Sequence, residues 1–252
     1  MTRLSPRPVL YLYTDFGAGS LYVGQLHGIL ATHQPRVRVI DLCHELEPCD
    51  ARHAAYLLDA LSPYLVRPAL VVGVIDPGVG TTRAPILVQG DGISLVGPDN
   101  GLFALIAHQM PVRIFELGTR GVRMLSASFH GRDLFVPWAL RLCTEPRSRL
   151  AADLTPLTRP LVGSDWPLEI QEVIHIDRFG NALTGCVGSV ARHHQRLKIG
   201  SQLLAYRTTF GEAAPGSPFW YVNSLNRVEI ACNRQSAQDA LGVQVGDAFE
   251  WV

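Results

Sequence analysis

The chain of 252 residues carries 22 Lys and Arg against 22 Asp and Glu, a formal net charge of +0, so no global field draws it toward nucleic acid or an anionic membrane surface. Its 47% hydrophobic and 17% charged content suits a well-packed soluble enzyme core or a chain that also buries surface against copies of itself. No run reaches the roughly 18 apolar residues that a membrane-spanning helix needs.

The run VLYLYT (9–14) reads as a first strand that ends at Asp15, and Ser20 reads as the cap of a helix whose apolar face uses Tyr22, Val23, Leu26, Ile29 and Leu30. A second strand is expected at 36–41 and a second helix at 50–62, carrying Ala54, Ala55, Leu57, Leu58 and Leu61. The β-branched run Val71, Val72, Val74 and Ile75 then predicts a strand buried on both faces. Residues 86–89 and 93–96 flank Gly90-Asp91-Gly92 as a hairpin. GPDNG (97–101) leads into a helix through Met110, with a strand at 112–117 and a helix at 131–143 after it. Strands alternating with helices over short loops predict an α/β domain with a mostly parallel sheet and right-handed crossovers over 1–145. Over 146–166 the periodicity dissolves around Pro146, Pro156 and Pro160, as in a linker. From 167 to 252 come the short strand-like runs EVIHID, LKIG, QLLAYRTTF, FWYVNS, RVEIA and AFEWV, which predict a small antiparallel sheet or barrel with one short helix at 235–241.

The stretch VVGVIDPGVGTTR (71–83) organises the chain. Asp76 stands at the carboxyl end of the buried strand, where ligands sit in open α/β sheets, and Pro77, Gly78 and Gly80 turn the backbone tightly. Arg83 follows seven residues on, within reach of Asp76 either as a structural salt bridge or as part of a site. Asp15 either caps the following helix or accepts the two hydroxyls of a ribose. SFHGRD (128–133) places His130 before a helix, where it caps or does proton chemistry, while Arg132 and Asp133 can pair with each other. DRFGN (177–181) sets an acid, an aromatic ring and an amide in one Gly turn, a set that suits an amino group and a stacked purine and equally a plain turn. His44, Glu45, Asp50 and His53 match no zinc spacing, so no metal site is assigned. The five cysteines, Cys43, Cys49, Cys143, Cys186 and Cys232, have no CxxC pair and read as reduced thiols. MTRLSPRP lacks the apolar run of a signal peptide, so a cytoplasmic location is expected.

In their order, YTDFG (13–17), DPGVGTTR (76–83), GPDNG (97–101), FHGRD (129–133), DRFGN (177–181) and YVNS with RVEIA (221–231) resemble the S-adenosyl-L-methionine (SAM) hydroxide adenosyltransferases, also called SAM hydrolases. That family is related to the SAM-dependent fluorinases and chlorinases. The resemblance spans nearly the whole chain and implies hydroxide attack at C5′ of SAM, releasing adenosine and L-methionine without a metal or organic cofactor. It further implies a Rossmann-like amino-terminal α/β domain, a carboxy-terminal antiparallel β-barrel domain over 167–252, and a homotrimer with sites between subunits. Carried over by residue, it makes Asp76, Arg83 and His130 the catalytic trio, which the halogenases lack. Asp15 would hold the ribose, Phe179 and Asn181 the adenine, and Asp177 the methionine ammonium, while Ser224 and Glu229 complete the pocket. Ser128 stands where the family has threonine, and Gly185 and Cys186 depart from its pattern. The alternatives are a halogenase-type nucleophile exchange on the same substrate and a non-catalytic SAM or adenosine sensor, which would have no use for the trio.

Overall fold

A computed structural model describes residues 8–32, 37–119 and 126–252. The start of the strand expected at 36–41 and the amino-terminal residues 1–7 lie outside these. The chain divides into two compact units, one of Met1–Arg52 and Tyr64–Trp166, the other of His53–Pro63 and Pro167–Val252.

In the first unit, β1 (Val9–Thr14) leads through α1 (Leu21–Ala31) to β2 (Arg38–Cys43), and the chain then passes along α2 (Ala51–Leu61) to β3 (Ala69–Val74). Ser20 caps α1 by accepting the Val23 N–H at 3.4 Å, and Val23, Leu26 and Leu30 form its buried stripe. The hairpin of β4 (Pro85–Gly90) and β5 (Ile93–Pro98) follows, then α3 (Ala104–Gln109) and β6 (Arg113–Leu117). A π-helical turn at Gly131–Phe135 runs into α4 (Val136–Thr144), and α5 (Arg147–Leu150) precedes β7 (Leu154–Pro156). One seven-stranded sheet collects these strands in the order β2-β1-β3-β5-β4-β6-β7. Strands β2, β1, β3 and β5 pair in parallel. Because β6 is antiparallel to β4, which is itself antiparallel to β5, β6 points the same way as β5, and only β4 and β7 oppose the rest.

Every residue of β1 and β3 is buried, as expected of central strands that carry apolar side chains on both faces. Leu12, Leu26, Val72, Phe135 and Trp138 belong to one apolar cluster beneath the sheet. Close packing also explains two glycines in adjacent strands. A methyl on Gly97 would lie 2.2 Å from the Gly73 carbonyl oxygen, and one on Gly73 would lie 2.8 Å from Leu102 and Phe103.

Three sequence expectations shift. Within 146–166 the short helix α5 and the edge strand β7 both form, the latter pairing with β6 from Phe115↔Pro156 to Leu117↔Leu154. A three-residue edge strand is too short to leave an alternation in the sequence. The helix expected through Met110 covers only Ala104–Gln109, after a turn at 101–103. The helix expected from Gly131 is a π-helical turn first and α-helical only from Val136.

The second unit contains β8 (Val173–Ile176), β9 (Ala182–Val187), β10 (Leu197–Ile199), β11 (Gln202–Leu204), β12 (Pro218–Val222), β13 (Arg227–Cys232), α6 (Ala237–Leu241) and β14 (Phe249–Trp251). They form two antiparallel sheets, β12-β13-β9-β8 and β11-β10-β14, which share an apolar cluster including Val173, Leu197, Trp220, Ile230 and Phe249. QLLAYRTTF yields a strand only at Gln202–Leu204. Most of α2 is tied to this unit by polar contacts: Tyr56 Oη donates to the Pro167 carbonyl at 2.7 Å, His53 Nε2 lies 3.0 Å from Glu172 Oε2, and Arg227 Nη2 donates to Asp59 Oδ2 at 2.5 Å.

Asp59 and Arg227 are both buried, so removing one leaves the other charge uncompensated in an apolar setting. Asp59→Ala is therefore expected to lower stability in urea unfolding by about 3–5 kcal/mol. Replacing the pair together, as Asp59→Leu with Arg227→Met, should restore much of that loss. A loss below about 1 kcal/mol in the single variant would mean the pair is not what anchors the helix.

Candidate active site

The first unit brings four of the expected residues together at the carboxyl ends of two neighbouring strands. Thr14 of β1 and Val74 of β3 are register partners, so Asp15 and Asp76 leave the sheet side by side. The chain goes from β1 to β2 on one side and returns to β3 on the other, which makes this the topological switch point, where open α/β sheets bind ligands.

Asp76 is fixed from several directions. The Asn100 side chain donates to the Ile75 carbonyl at 2.7 Å and pins the strand end just before the acid. After the acid the loop closes on itself, with Val79 N–H on the Asp76 carbonyl at 3.2 Å and the Thr81 hydroxyl on the Gly78 carbonyl at 2.6 Å. Gly80 has φ +78°, and a methyl there would lie 2.5 Å from the Ala127 carbonyl oxygen. The loop thus presses against the backbone three residues before His130, an approach only glycine permits.

Arg83 joins the acid to the histidine. Its Nε donates to Asp76 Oδ1 at 2.9 Å, its Nη2 donates to Asp76 Oδ2, and the same Nη2 lies 2.8 Å from His130 Nδ1. The guanidinium carbon sits 5.3 Å from the ring centre of Phe135, which is fully buried in the core. Only 5% of the Asp76 side chain and 10% of the Arg83 side chain are exposed, so this pair is screened little by solvent. Since a guanidinium can only donate, His130 Nδ1 must present its lone pair, and the neutral ring carries its proton on Nε2. Burial and the Arg83 charge hold the His130 pKa below its ordinary value, against the opposing pull of Asp76 and Asp133. Asp15 is half-buried and accepts the Cys49 N–H at 2.9 Å, where Cys49 has φ +64°. Burial pushes its carboxyl up and the neighbouring Asp76 charge adds to this, while the backbone N–H groups oppose.

The bland readings hold elsewhere. Arg132 clasps Asp133 at 2.6 and 2.9 Å, and Asp133 accepts the Ser126 N–H at 2.8 Å. Asp99 of the GPDNG turn accepts the Val162 N–H at 3.1 Å, a structural task. His44 Nδ1 lies 2.7 Å from the Thr14 hydroxyl. All five cysteines are free thiols.

A second group of expected residues lies in the second unit. Asp177 closes the DRFGN turn: its Oδ1 accepts the Phe179 and Asn181 N–H groups, both at 2.8 Å, and its Oδ2 accepts Asn181 Nδ2 at 3.0 Å. Gly180, with φ +79°, brings the turn so close to Ser236 that a methyl would lie 2.1 Å from its hydroxyl oxygen. The Phe179 ring projects with 78% exposure, while Asn181 is buried. Tyr221 and Glu229 are register partners on β12 and β13. Buried Glu229 accepts the Tyr221 hydroxyl at 2.5 Å and Asn223 Nδ2 at 2.6 Å. Burial raises the Glu229 carboxyl, with Asp177 adding and its two donors opposing. Burial and then Glu229 raise the Tyr221 phenol. Ser224 sits in the turn that Asn223 Oδ1 closes by accepting the Leu225 and Arg227 N–H groups at 2.9 and 3.0 Å. Gly185 has a packing reason, since a methyl there would meet Ile170 Cγ1 at 2.3 Å.

Asn100, Tyr221 and Asn223 were not assigned from the sequence, although the GPDNG and YVNS motifs contain them. Nothing but their place within those motifs could have singled them out.

Residues 10–150 match the family model described as the SAM hydroxide adenosyltransferase N-terminal domain, and residues 171–250 match the corresponding C-terminal domain. A protein of Thermus thermophilus named (R)-S-adenosyl-L-methionine hydrolase is 38% identical over 254 residues, 95% of this chain and 97% of that protein. One of the same name from Salinispora tropica is 38% identical over 258 residues, 97% of each. Among solved structures, an uncharacterized conserved protein of Thermotoga maritima superposes with a TM-score of 0.84 at 28% identity, covering 97% of this chain and 100% of that one.

The Arg83 contact sets a titration. With its folded pKa below the ordinary 6.5, His130 stays neutral at neutral pH, and its contribution to stability is complete above 6.5 and falls as pH drops toward the folded value. In an NMR titration the His130 midpoint is expected below 6.5. In Arg83→Gln it should move upward, because a cation is removed while Asp76 remains. A midpoint that ignores Arg83→Gln would overturn the contact.

Proposed function

Since the chain belongs to the SAM hydroxide adenosyltransferase family, we propose that it hydrolyses SAM by attack of a water-derived hydroxide at C5′, releasing adenosine and L-methionine. The observation that carries this reading is the Arg83 guanidinium bonded at once to Asp76 and His130 at the switch point of the sheet.

The sulfonium of SAM is already a cationic leaving group, so the protein need not protonate it. The chemical task is to hold an oxygen nucleophile in line behind C5′ and to remove its proton. Arg83 supplies fixed positive charge that favours hydroxide over water in a poorly solvated site. His130 has its Nδ1 lone pair directed at Arg83 and a proton on Nε2, so in this state it orients the nucleophile as a donor. Asp76 retains lone pairs beyond the two that Arg83 uses and is the group that accepts the proton. The C5′–S bond breaks with its electrons on sulfur as the C5′–O bond forms, and one proton leaves to solvent. No metal or organic cofactor takes part in this scheme.

Asp15 would accept the ribose hydroxyls, which its raised pKa favours little by charge but its position favours by geometry. Phe179 offers an exposed ring for the adenine. Asn181, with its amide nitrogen on Asp177, offers its Oδ1 to the adenine amino group. Asp177, which sits close enough to Glu229 to raise its pKa, supplies negative charge for the methionine ammonium, with Ser224 and Glu229 completing that part of the pocket. The assembly is a homotrimer whose sites use residues of two subunits, and the five free thiols support a reducing, cytoplasmic location.

Asp76 and Arg83 form a nearly buried pair, so neutral polar replacements test the chemistry more cleanly than truncation to alanine, which would cost more stability. Asp76→Asn and Arg83→Gln are each expected to lower kcat about 10²–10⁴-fold with folding retained, read as adenosine formed from SAM by mass spectrometry. In ¹⁸O-labelled water the label should appear at the adenosine 5′ hydroxyl, and unlabelled adenosine would rule out attack by solvent oxygen at C5′.

The relatives' names specify the (R) epimer, and we carry this preference over. With the two sulfonium epimers supplied separately, kcat/KM should be at least about tenfold higher for (R), corresponding to about 1.4 kcal/mol of transition-state discrimination. Equal rates would remove the preference. Light scattering should give three times the 27.6 kDa chain mass, and an active species of one chain mass would refute the shared site.

A further inference from the structure

A cleft of about 360 Å³ opens at the opposite end of the first unit's sheet, where Ala69 begins β3, Ile93 begins β5 and Arg113 begins β6. An adjoining lobe of about 220 Å³ shares Gln89, Arg113, Leu142, Arg147 and Leu150 with it. Their combined size falls in the range of small-molecule sites. Strand β3 runs from Ala69 in this cleft toward Asp76, a separation of roughly 23 Å at about 3.3 Å per residue. The cleft is therefore distinct from the trio.

Its chemistry is amphipathic. Gln89 and Arg113 are register partners, so their side chains stand on one face of the sheet, and Arg147 reaches the same junction from α5. Neither Arg113 nor Arg147 makes an ion pair or a side-chain hydrogen bond among the described residues. The one acid in the lining, Glu145, accepts from Arg141 Nε at 3.1 Å, a guanidinium it shares with Asp153, so Arg113 and Arg147 outnumber the acid at this junction. Leu142 and Leu150 form an apolar wall, extended in the smaller lobe by Phe115 and Leu154. Two guanidinium groups with no side-chain partner among the described residues, beside such a wall, match a ligand with one anionic head and an apolar body, since guanidinium recognises carboxylate, sulfonate or phosphate oxygens through paired donors.

We propose that this cleft is a second ligand site, which takes a small organic anion: Arg113 and Arg147 hold the charged group, and the Leu142–Leu150 wall covers the apolar body. The site stands apart from the proposed hydrolysis, so either reading can fail without the other.

The test titrates the full chain with 8-anilinonaphthalene-1-sulfonate, followed by dye fluorescence, with adenosine present in excess to fill the substrate site. One saturable class of sites per chain is expected. In Arg113→Gln/Arg147→Gln its dissociation constant should rise at least about tenfold, the loss of roughly 1.4 kcal/mol expected for charge-assisted contacts, while circular dichroism and kcat for SAM stay as in the wild type. N-phenyl-1-naphthylamine, the same body without the sulfonate, should not bind to this class. Absence of saturable binding, equal binding by the double variant, or equal binding of the uncharged dye would each overturn the proposal.

Discussion

One planar cation sets the geometry of the first unit's site. Arg83 spans a carboxylate delivered by β3 and an imidazole delivered by the π-helical turn before α4, two parts of the chain separated by 47 residues in the Arg83–His130 contact. Each neighbouring feature serves that bridge. Asn100 pins the strand end, Gly80 lets the loop approach Ala127, and buried Phe135 lies under the guanidinium. The bridge also decides the protonation of its partners, because a donor-only group facing Nδ1 forces the histidine to be neutral with its hydrogen on Nε2. A lysine would supply the charge without the fork, so the arrangement depends on arginine chemistry rather than on charge alone.

The second unit solves a different problem, that of keeping acids in place inside a small β structure. Asp177 is occupied by its own turn, and Glu229 lies buried between a phenol and an amide. Both remain acceptors with spare lone pairs, and the Asp177 charge adds to burial in raising the cost of charging Glu229. Such a pair is well suited to a cationic guest, whose arrival relieves the mutual repulsion of the two carboxylates.

Much of this was legible in the sequence, for physical reasons that differ by element. The largely apolar, fully buried β1 and β3 declared themselves by composition, α1 by its Ser20 cap and three-to-four spacing, and the β4–β5 hairpin by Gly-Asp-Gly. The nearness of Arg83 to Asp76 followed from seven residues of loop, and the pairing of Arg132 with Asp133 from adjacency. The contact of Arg83 with His130 was not readable from spacing, because it depends on how two distant segments pack; only the resemblance placed them together. Strand β7 escaped notice since three residues leave no alternation, and the π-helical turn since its sequence obeys helical preferences with one extra residue per turn. Asn100 looked like an ordinary turn residue, and its bond to the Ile75 carbonyl appears only once β3 and the GPDNG turn are side by side.

The account stands or falls on the fork of Arg83 rather than on its charge. The most direct measurement is kcat for SAM in Arg83→Lys, with SAM saturating. A lysine cannot bond Asp76 through two parallel donors and His130 through a third, so kcat should fall nearly as far as in a neutral replacement, by about 10²-fold or more. A lysine variant that turns over SAM at the wild-type rate would contradict the bridging role.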